Sequence, residues 1–298
     1  MIENPRELLL RSDGQAPTGA LIDVDPQRAG WEFVSLRVQR IEAGGFWNYA
    51  TDDHEVCLVP LRGRCTVEAG SDRWTIGGRM SPFDGKPHSL YLPMESSVRI
   101  SAESGTELAI CGSVADKRFP AREIPPDDVA VEIRGAGNAA RQINHILKPE
   151  FPAHRLLVVE VFTPSGNWSS YPPHKHDVED RPHEADLEEI YYYRFDSPEG
   201  FGLQRLATAD GETDEAFVIK DGHLLLVPEG YHSFAVAHGY TGYYLNVLAG
   251  NGVERTMQPS DDPAHAWVRS TWAESMNEAA VSWQDIDRRV NRGAGHRT

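Results

Sequence analysis

The feature that most restricts how this chain can fold is its rhythm. Short runs rich in Val, Leu, Ile, Thr and Tyr recur along its 298 residues, bounded by turn residues. The clearest are Glu32–Ile41, Val56–Leu61, Arg155–Phe162, Ile190–Phe195, Ala216–Ile219, Leu224–Val227 and Tyr243–Val247. Such runs at regular spacing predict an all-β sandwich or barrel. Helical periodicity is confined to two short segments, Ala139–Leu147 and Trp272–Val281, which are expected to be helices.

The length leaves room for two domains of ordinary size. The segment Phe119–Asp128 (FPAREIPPDD) is rich in Pro and charge and poor in apolar periodicity, so it is the expected boundary. The division read from it is an N-terminal half, residues 1–120, a C-terminal half, residues 121–272, and a tail, residues 273–298. The tail is expected to be a helix with a frayed end. The halves echo each other. Glu55 opens an apolar strand-like run, and Glu189 opens a similar one. Leu90-Tyr91-Leu92-Pro93 has a counterpart in Leu225-Leu226-Val227-Pro228.

Charge narrows the partners. There are 29 Lys plus Arg and 45 Asp plus Glu, a formal net charge of −16. That field repels nucleic acid and anionic membranes. It leaves an anionic small molecule possible, because a local Arg or metal overrides the net field. No apolar stretch reaches the roughly 18–20 residues that span a bilayer, and the N-terminus does not read as a signal peptide. Cys57, Cys65 and Cys111 form neither a metal spacing nor an even disulfide framework. A reducing, cytoplasmic setting is expected.

The chemistry concentrates in the second half. Tyr171-Pro-Pro-His174-Lys-His176-Asp177 is followed by Leu187-Glu188-Glu189-Ile-Tyr191-Tyr-Tyr193, and later by Val227-Pro-Glu-Gly230-Tyr-His232. Residues two apart on a strand share a face, so His174 and His176 aim into one space. A glutamate on the next strand and a third histidine on a later one would complete a three-His, one-carboxylate metal site with positions open for substrate. Either Glu188 or Glu189 has the right type. The donor set suits one divalent ion among Zn, Mn, Fe, Ni and Co. The first half lacks this equipment: no H-x-H precedes Glu55, and Ser97 stands four after Pro93 where His232 stands four after Pro228.

The arrangement resembles the two motifs of the cupin superfamily, which maps His174, His176, Glu189 and His232 onto the metal ligands. Glu189 is preferred over Glu188 because Ile190-Tyr191 then fall as in a cupin strand. The gap from His176 to Glu189 exceeds the usual one and implies an inserted loop, Asp177–Leu187. A closer resemblance is to the 5-deoxyglucuronate isomerase family of inositol catabolism. It is carried by GNWSSYPPHKHD (Gly166–Asp177), LEEIYYYRF (Leu187–Phe195), DEAFVIKDG (Asp214–Gly222), VPEGYH (Val227–His232) and YYLNVLAG (Tyr243–Gly250). The N-terminal GWEFVSLRVQRIEAGG (Gly30–Gly45) and central GAGNAARQINHIL (Gly135–Leu147) match it too. The resemblance implies two cupin barrels in one chain with a few short helices. It also implies conversion of the aldose 5-deoxy-D-glucuronate to the ketose acid 5-dehydro-2-deoxy-D-gluconate.

That chemistry asks for a proton-transfer group and a cation for the uronate carboxylate. Candidates for the first are Tyr191, Tyr193, Lys175 and Glu188, with Asp177 and His223 behind them. Tyr191 and Tyr193 share the face of Glu189, whereas Lys175 points away from its flanking histidines on a regular strand. Candidates for substrate binding are Arg205, Gln204 and Arg141. Arg205 and Gln204 are neighbours, so only one of them faces inward. His183, in the inserted loop, is a candidate lid residue. An iron-dependent dioxygenase could use the same ligands, and a non-catalytic sugar-binding sensor is the alternative of another class. The expected partners are a small anionic sugar acid and further copies of the chain.

Overall fold

The computed structural model describes residues 4–12, 14, 16–272 and 282–290. Among these, four antiparallel sheets of seven, six, five and four strands account for nearly all regular structure. Their stacking follows from which side chains share a core. Val34, Leu36, Val38, Cys57 and Val59 of the six-stranded sheet pack with Ile190, Tyr192, Leu224, Leu245 and Val247 of the seven-stranded sheet. These two sheets therefore lie face to face at the centre of the molecule. The opposite face of the six-stranded sheet encloses a core with the four-stranded sheet, including Val56, Leu58, Cys65, Val67, Val98 and Ile100. The opposite face of the seven-stranded sheet does the same with the five-stranded sheet, around Tyr191, Tyr193, Leu206, Phe217, Phe234 and Tyr244. The result is two β-sandwich barrels back to back.

Period-2 alternation produces this order, because every central strand is buried on both faces. In Glu188–Phe195, Ile190 and Tyr192 face the central core, while Tyr191, Tyr193 and Phe195 face the second barrel's interior. In His54–Arg62, Cys57, Val59 and Leu61 face the centre, while Val56 and Leu58 face the first interior.

Strands from Gly19 to Ile124 build the six- and four-stranded sheets, and those from Ala130 to Asp261 build the other two. Two details depart from the sequence division. Leu9–Arg11 pairs with His223–Leu225, so the N-terminal strand joins the C-terminal sheet. Arg122–Ile124, beyond residue 120, still pairs with Ser89–Tyr91.

The helix expected at Ala139–Leu147 is corrected. A 3-10 turn, Gly137–Ala139, leads into a strand, Arg141–Leu147, which pairs on both sides. Ile143 enters the second interior while Ile146 and Leu147 enter the central core, with a register shift after His145. Tertiary pairing overrides the weak helical pattern. The helix expected at Trp272–Val281 falls on residues 273–281, outside the described residues; a 3-10 helix, Ala266–Trp272, ends where it was to begin. Further on, Trp283–Val290 is helical. Trp283 stacks on Phe162 with ring centroids 6.0 Å apart, and Ile286 is buried, so this part of the tail is docked. No helix among the described residues is long and apolar enough to cross a membrane.

Candidate metal centre and active site

The polar side chains of the second interior gather at one end of the barrel. The strand Trp168–Lys175 carries His174, with His176 just beyond its end. His232 lies on Tyr231–Val236 and is the direct Cα partner of His174 across the ladder. Glu189 comes from the facing sheet. Gly230 makes the turn before His232: its φ is +98°, and a Cβ there would meet the Ala207 carbonyl at 2.9 Å. Its N–H donates to Asp177 Oδ2 at 2.7 Å, which ties the third-histidine strand to the H-x-H segment.

His176, Glu189 and His232 bring their donor atoms within 4.8 Å of one another, and all three are buried. His174 stands beside them, its ring centroid 4.8 Å from that of His232. The tautomers are set by the backbone. Each Nδ1 sits at hydrogen-bond distance from a carbonyl: His174 to Pro172 at 3.1 Å, His176 to Leu187 at 3.0 Å, His232 to Gly230 at 3.1 Å. Carbonyls only accept, so each Nδ1 carries a proton and each Nε2 is the ring atom turned to the cluster, the atom a neutral imidazole would offer to a metal. Glu189 Oε2 lies 2.7 Å from His176 Nε2 and 3.1 Å from His232 Nε2. The second contact is out of line for a hydrogen bond, and His232 Nε2 is a buried polar atom without one. Donors about 2 Å from one small divalent ion stand roughly 3.3 Å apart, so the residues fit such an ion.

The electrostatics couple the carboxylate to the imidazoles. Burial pushes the His174 imidazole well below its ordinary pKa, and the neighbouring His232 and His176 add to this. Burial would lower His176 as well, but the Glu189 carboxylate outweighs it and lifts the value to about 9. Burial disfavours the Glu189 carboxylate, yet His176 and His232 hold it well below the usual range. Glu189 Oε1 also accepts from Asn246 Nδ2 at 2.6 Å.

The same pocket is lined by Tyr191, Ser170, Tyr244, Arg141, Met257 and Pro259. Ser170 Oγ is 3.1 Å from the Tyr191 hydroxyl and 3.3 Å from that of Tyr244. Ser170 adopts φ +48°, a left-handed conformation that a serine takes only under local constraint. Arg141 is buried and donates to the Ala139 and Tyr171 carbonyls at 3.0 and 3.1 Å. Among the described residues it has no carboxylate partner. Burial lowers its pKa to about 10. The Trp272 ring lies 5.7 Å from its guanidinium.

Other candidates lie elsewhere. Lys175, named as a candidate for proton transfer, points away from the cluster and bonds Asp177 and Glu184, which pins the inserted loop. Glu188 faces the central interface, where its carboxylate accepts backbone N–H groups of Glu32, Phe33 and Val34. Both corrections follow from strand alternation. Arg205 lies on the outer face, paired with Asp214 at 2.7 Å, while its neighbour Gln204 points inward. Gln204 accepts from the Tyr193 hydroxyl at 2.9 Å beneath the pocket, while its own amide nitrogen is buried without a hydrogen-bond partner. His223 lies at the far end of the strand whose Val227 pairs with Glu189. His183 is exposed, and the loop around it is anchored by the buried Glu184 and Ala185. It is not a free lid.

Sequence reasoning missed Ser170, Tyr244 and Asn246. For the last two a signal was present: in Tyr243–Val247 they fall on one face of a strand, and Asn246 is a polar residue inside an apolar run.

Known proteins share this plan. A model of the KduI/IolB family matches residues 8–268. A 5-deoxy-glucuronate isomerase of Geobacillus thermodenitrificans is 45% identical over 262 residues, 87% of this chain and 95% of that protein. One from Bacillus subtilis strain 168 is 38% identical over 249 residues, 83% and 91% of the two chains. Among solved structures, an IolB-like protein from Salmonella typhimurium LT2 matches with a TM-score of 0.84 at 40% identity, covering 88% of this chain and 98% of that one. A variant of Bacillus subtilis oxalate decarboxylase matches with a TM-score of 0.55 at 11% identity, covering 83% and 78%, which is a likeness of fold alone. The back-to-back barrels are thus cupin barrels, two in one chain, as the motifs implied. On sequence and structure together, the chain belongs to the KduI/IolB family.

Proposed function

We propose that the protein is a metal-dependent aldose–ketose isomerase that converts 5-deoxy-D-glucuronate to 5-dehydro-2-deoxy-D-gluconate. The relatives named 5-deoxy-glucuronate isomerase support the reaction. The observation that carries the reading is the convergence of His176, Glu189 and His232, with His174 beside them, at a pocket that His174, His176, Glu189 and Arg141 line.

In this reading His174, His176, Glu189 and His232 hold one divalent ion. The ion would supply Lewis acidity to the carbonyl and its neighbouring hydroxyl. Arg141 is the cation for the uronate carboxylate. Its fork is fixed by two carbonyls and a tryptophan face, and among the described residues no carboxylate pairs with it. Tyr191 is a proton donor at its hydroxyl. Burial, with Glu189 and Tyr244 adding to it, raises the phenol well above its ordinary pKa, so it stays protonated at neutral pH. Ser170 orients that hydroxyl. Met257 and Pro259 add apolar surface to the pocket lining. The isomerisation is redox-neutral overall, so no electron carrier is required. Cys57, Cys65 and Cys111 are buried free thiols, which suits a reducing compartment.

The test is an assay of the purified chain on 5-deoxy-D-glucuronate. Isomerisation abolished by a chelator and restored by a divalent metal is the expected result. Metal binding without isomerisation of this substrate would reject the substrate. Oxygen uptake in its place would favour the dioxygenase reading.

A further inference from the structure

Two carboxylates tie the barrels together by the same device, run in opposite directions. Glu188, at the start of its strand, accepts three consecutive backbone N–H groups from the first half: Glu32 at 2.6 Å, Phe33 at 2.8 Å and Val34 at 2.8 Å. Glu55, near the start of the corresponding strand, accepts three from the second half: His154 at 2.7 Å, Arg155 at 2.6 Å and Leu156 at 2.8 Å. In each case the donors lead the chain into a central strand, Val34–Ile41 or Leu157–Thr163. Both carboxylates lie on strand faces turned toward the central core. This is the equivalence behind the sequence echo. Glu55 corresponds to Glu188, and the residues that follow them, Val56 and Glu189, occupy corresponding positions in the two interiors.

The device therefore has different consequences at its two ends. Glu55 fixes a strand whose next residue is an apolar filler. Glu188 fixes a strand whose next residue supplies the carboxylate of the metal cluster. We propose that Glu188 is a positioning residue for the metal centre: by gripping the backbone of residues 32–34 it sets where Glu189 begins, so the first barrel takes part in building the second barrel's site. The proposal rests on the reading of Glu189 as a metal ligand. A ligand must be held to within about half an ångström. Asn246 holds the Glu189 carboxylate at its far end, and Glu188 holds its backbone at the near end.

The test is titration of metal-stripped protein with Co(II), following its visible spectrum, together with thermal unfolding. Glu188→Ala is expected to weaken Co(II) binding by about ten- to a hundredfold, the effect of losing a group that orients a ligand, and to change the spectrum. Glu188→Gln keeps one acceptor oxygen and recovers part of the affinity. Glu55→Ala breaks the same number of N–H contacts and lowers the unfolding temperature, yet keeps Co(II) affinity within about twofold. If the alanine variants do not fold, the two glutamine variants carry the comparison, with weakening expected only for Glu188→Gln. Unchanged Co(II) binding by folded position-188 variants, or equal weakening by the position-55 variants, overturns the proposal. Wild-type protein that binds no Co(II) overturns the metal-centre reading itself, and the positioning role with it.

Discussion

The two barrel interiors are built on the same strand frame and filled in opposite ways. The first is closed by Val56, Leu58, Leu90, Leu92, Val98, Ile100, Leu108 and Ile110, all buried. The second buries His176, Glu189, Gln204, His232 and Asn246 among its tyrosines. Burying polar groups costs about 1–3 kcal/mol each unless they are satisfied. The second interior meets most of that cost. Backbone carbonyls take each imidazole Nδ1, Asn246 takes Glu189, and Tyr193 takes Gln204. Besides the unpartnered Gln204 amide nitrogen, the imidazole Nε2 atoms and a Glu189 oxygen remain, and these converge. A barrel needs no such cluster to stand, as the first one demonstrates. In the proposed reading, this difference is what makes the second interior the metal centre.

The contrast can be broken most severely by giving the first interior one residue of the second. Val56 is 1% exposed and packs within an apolar cluster. Val56→Glu is expected to cost about 3 kcal/mol or more of stability, read as a lower denaturant midpoint, without adding a second metal ion. A stable variant that binds two ions would show that the interiors are interchangeable.

A smaller effect sharpens the second interior's own division between inside and outside. Arg141→Gln keeps donors for the carbonyls but removes the cation. The expected result is a KM for the uronate raised about ten- to a hundredfold, with kcat changed less, in line with about 1.5–3 kcal/mol for a hydrogen bond to a charged group. Arg205→Gln, on the outer face, should leave both within about twofold. Equal effects from the two would remove the pocket assignment.

The smallest effect concerns the mouth of the second barrel. Glu132 is held down to about 2 by His145, against burial, with Arg134 assisting. A depressed carboxylate adds stability above its ordinary value near 4.5, and that stability is lost as pH falls toward 2. Glu132→Gln should therefore lie below wild type near pH 6 and converge with it near pH 2. The gap should be under about 1 kcal/mol, because the side chain is 38% exposed and partly screened. A gap that widens on acidification would reverse the assignment.

Much of this was legible in the sequence, because alternation is a strict rule on strands buried on both faces. It put His174 with His176, turned Lys175 away, and set Tyr191 and Tyr193 on the face of Glu189. The same rule separates Glu188 from Glu189 and Gln204 from Arg205, but only once one residue of each pair is known to face inward. That knowledge is tertiary. The segment Arg141–Leu147 read as helix because its apolar spacing is irregular. The irregularity is a register shift that lets Ile143 and Ile146 serve different cores. Local pattern cannot register a strand shared between two cores. Ser170 was invisible for a related reason: its role comes from a left-handed backbone that no residue-type preference signals. The reciprocal carboxylates were half visible as an echo of Glu55 in the second half, but one residue out of step. Only the packing of sheet on sheet shows which face each glutamate takes.

The central claim is that the second interior alone is a metal centre. Its most direct test is metal content per folded chain, by mass spectrometry, for wild type beside His232→Ala. About one divalent ion per wild-type chain and near none in the variant is expected, with the fold retained in both. Two ions in the wild type, or an undiminished ion in His232→Ala, would contradict it.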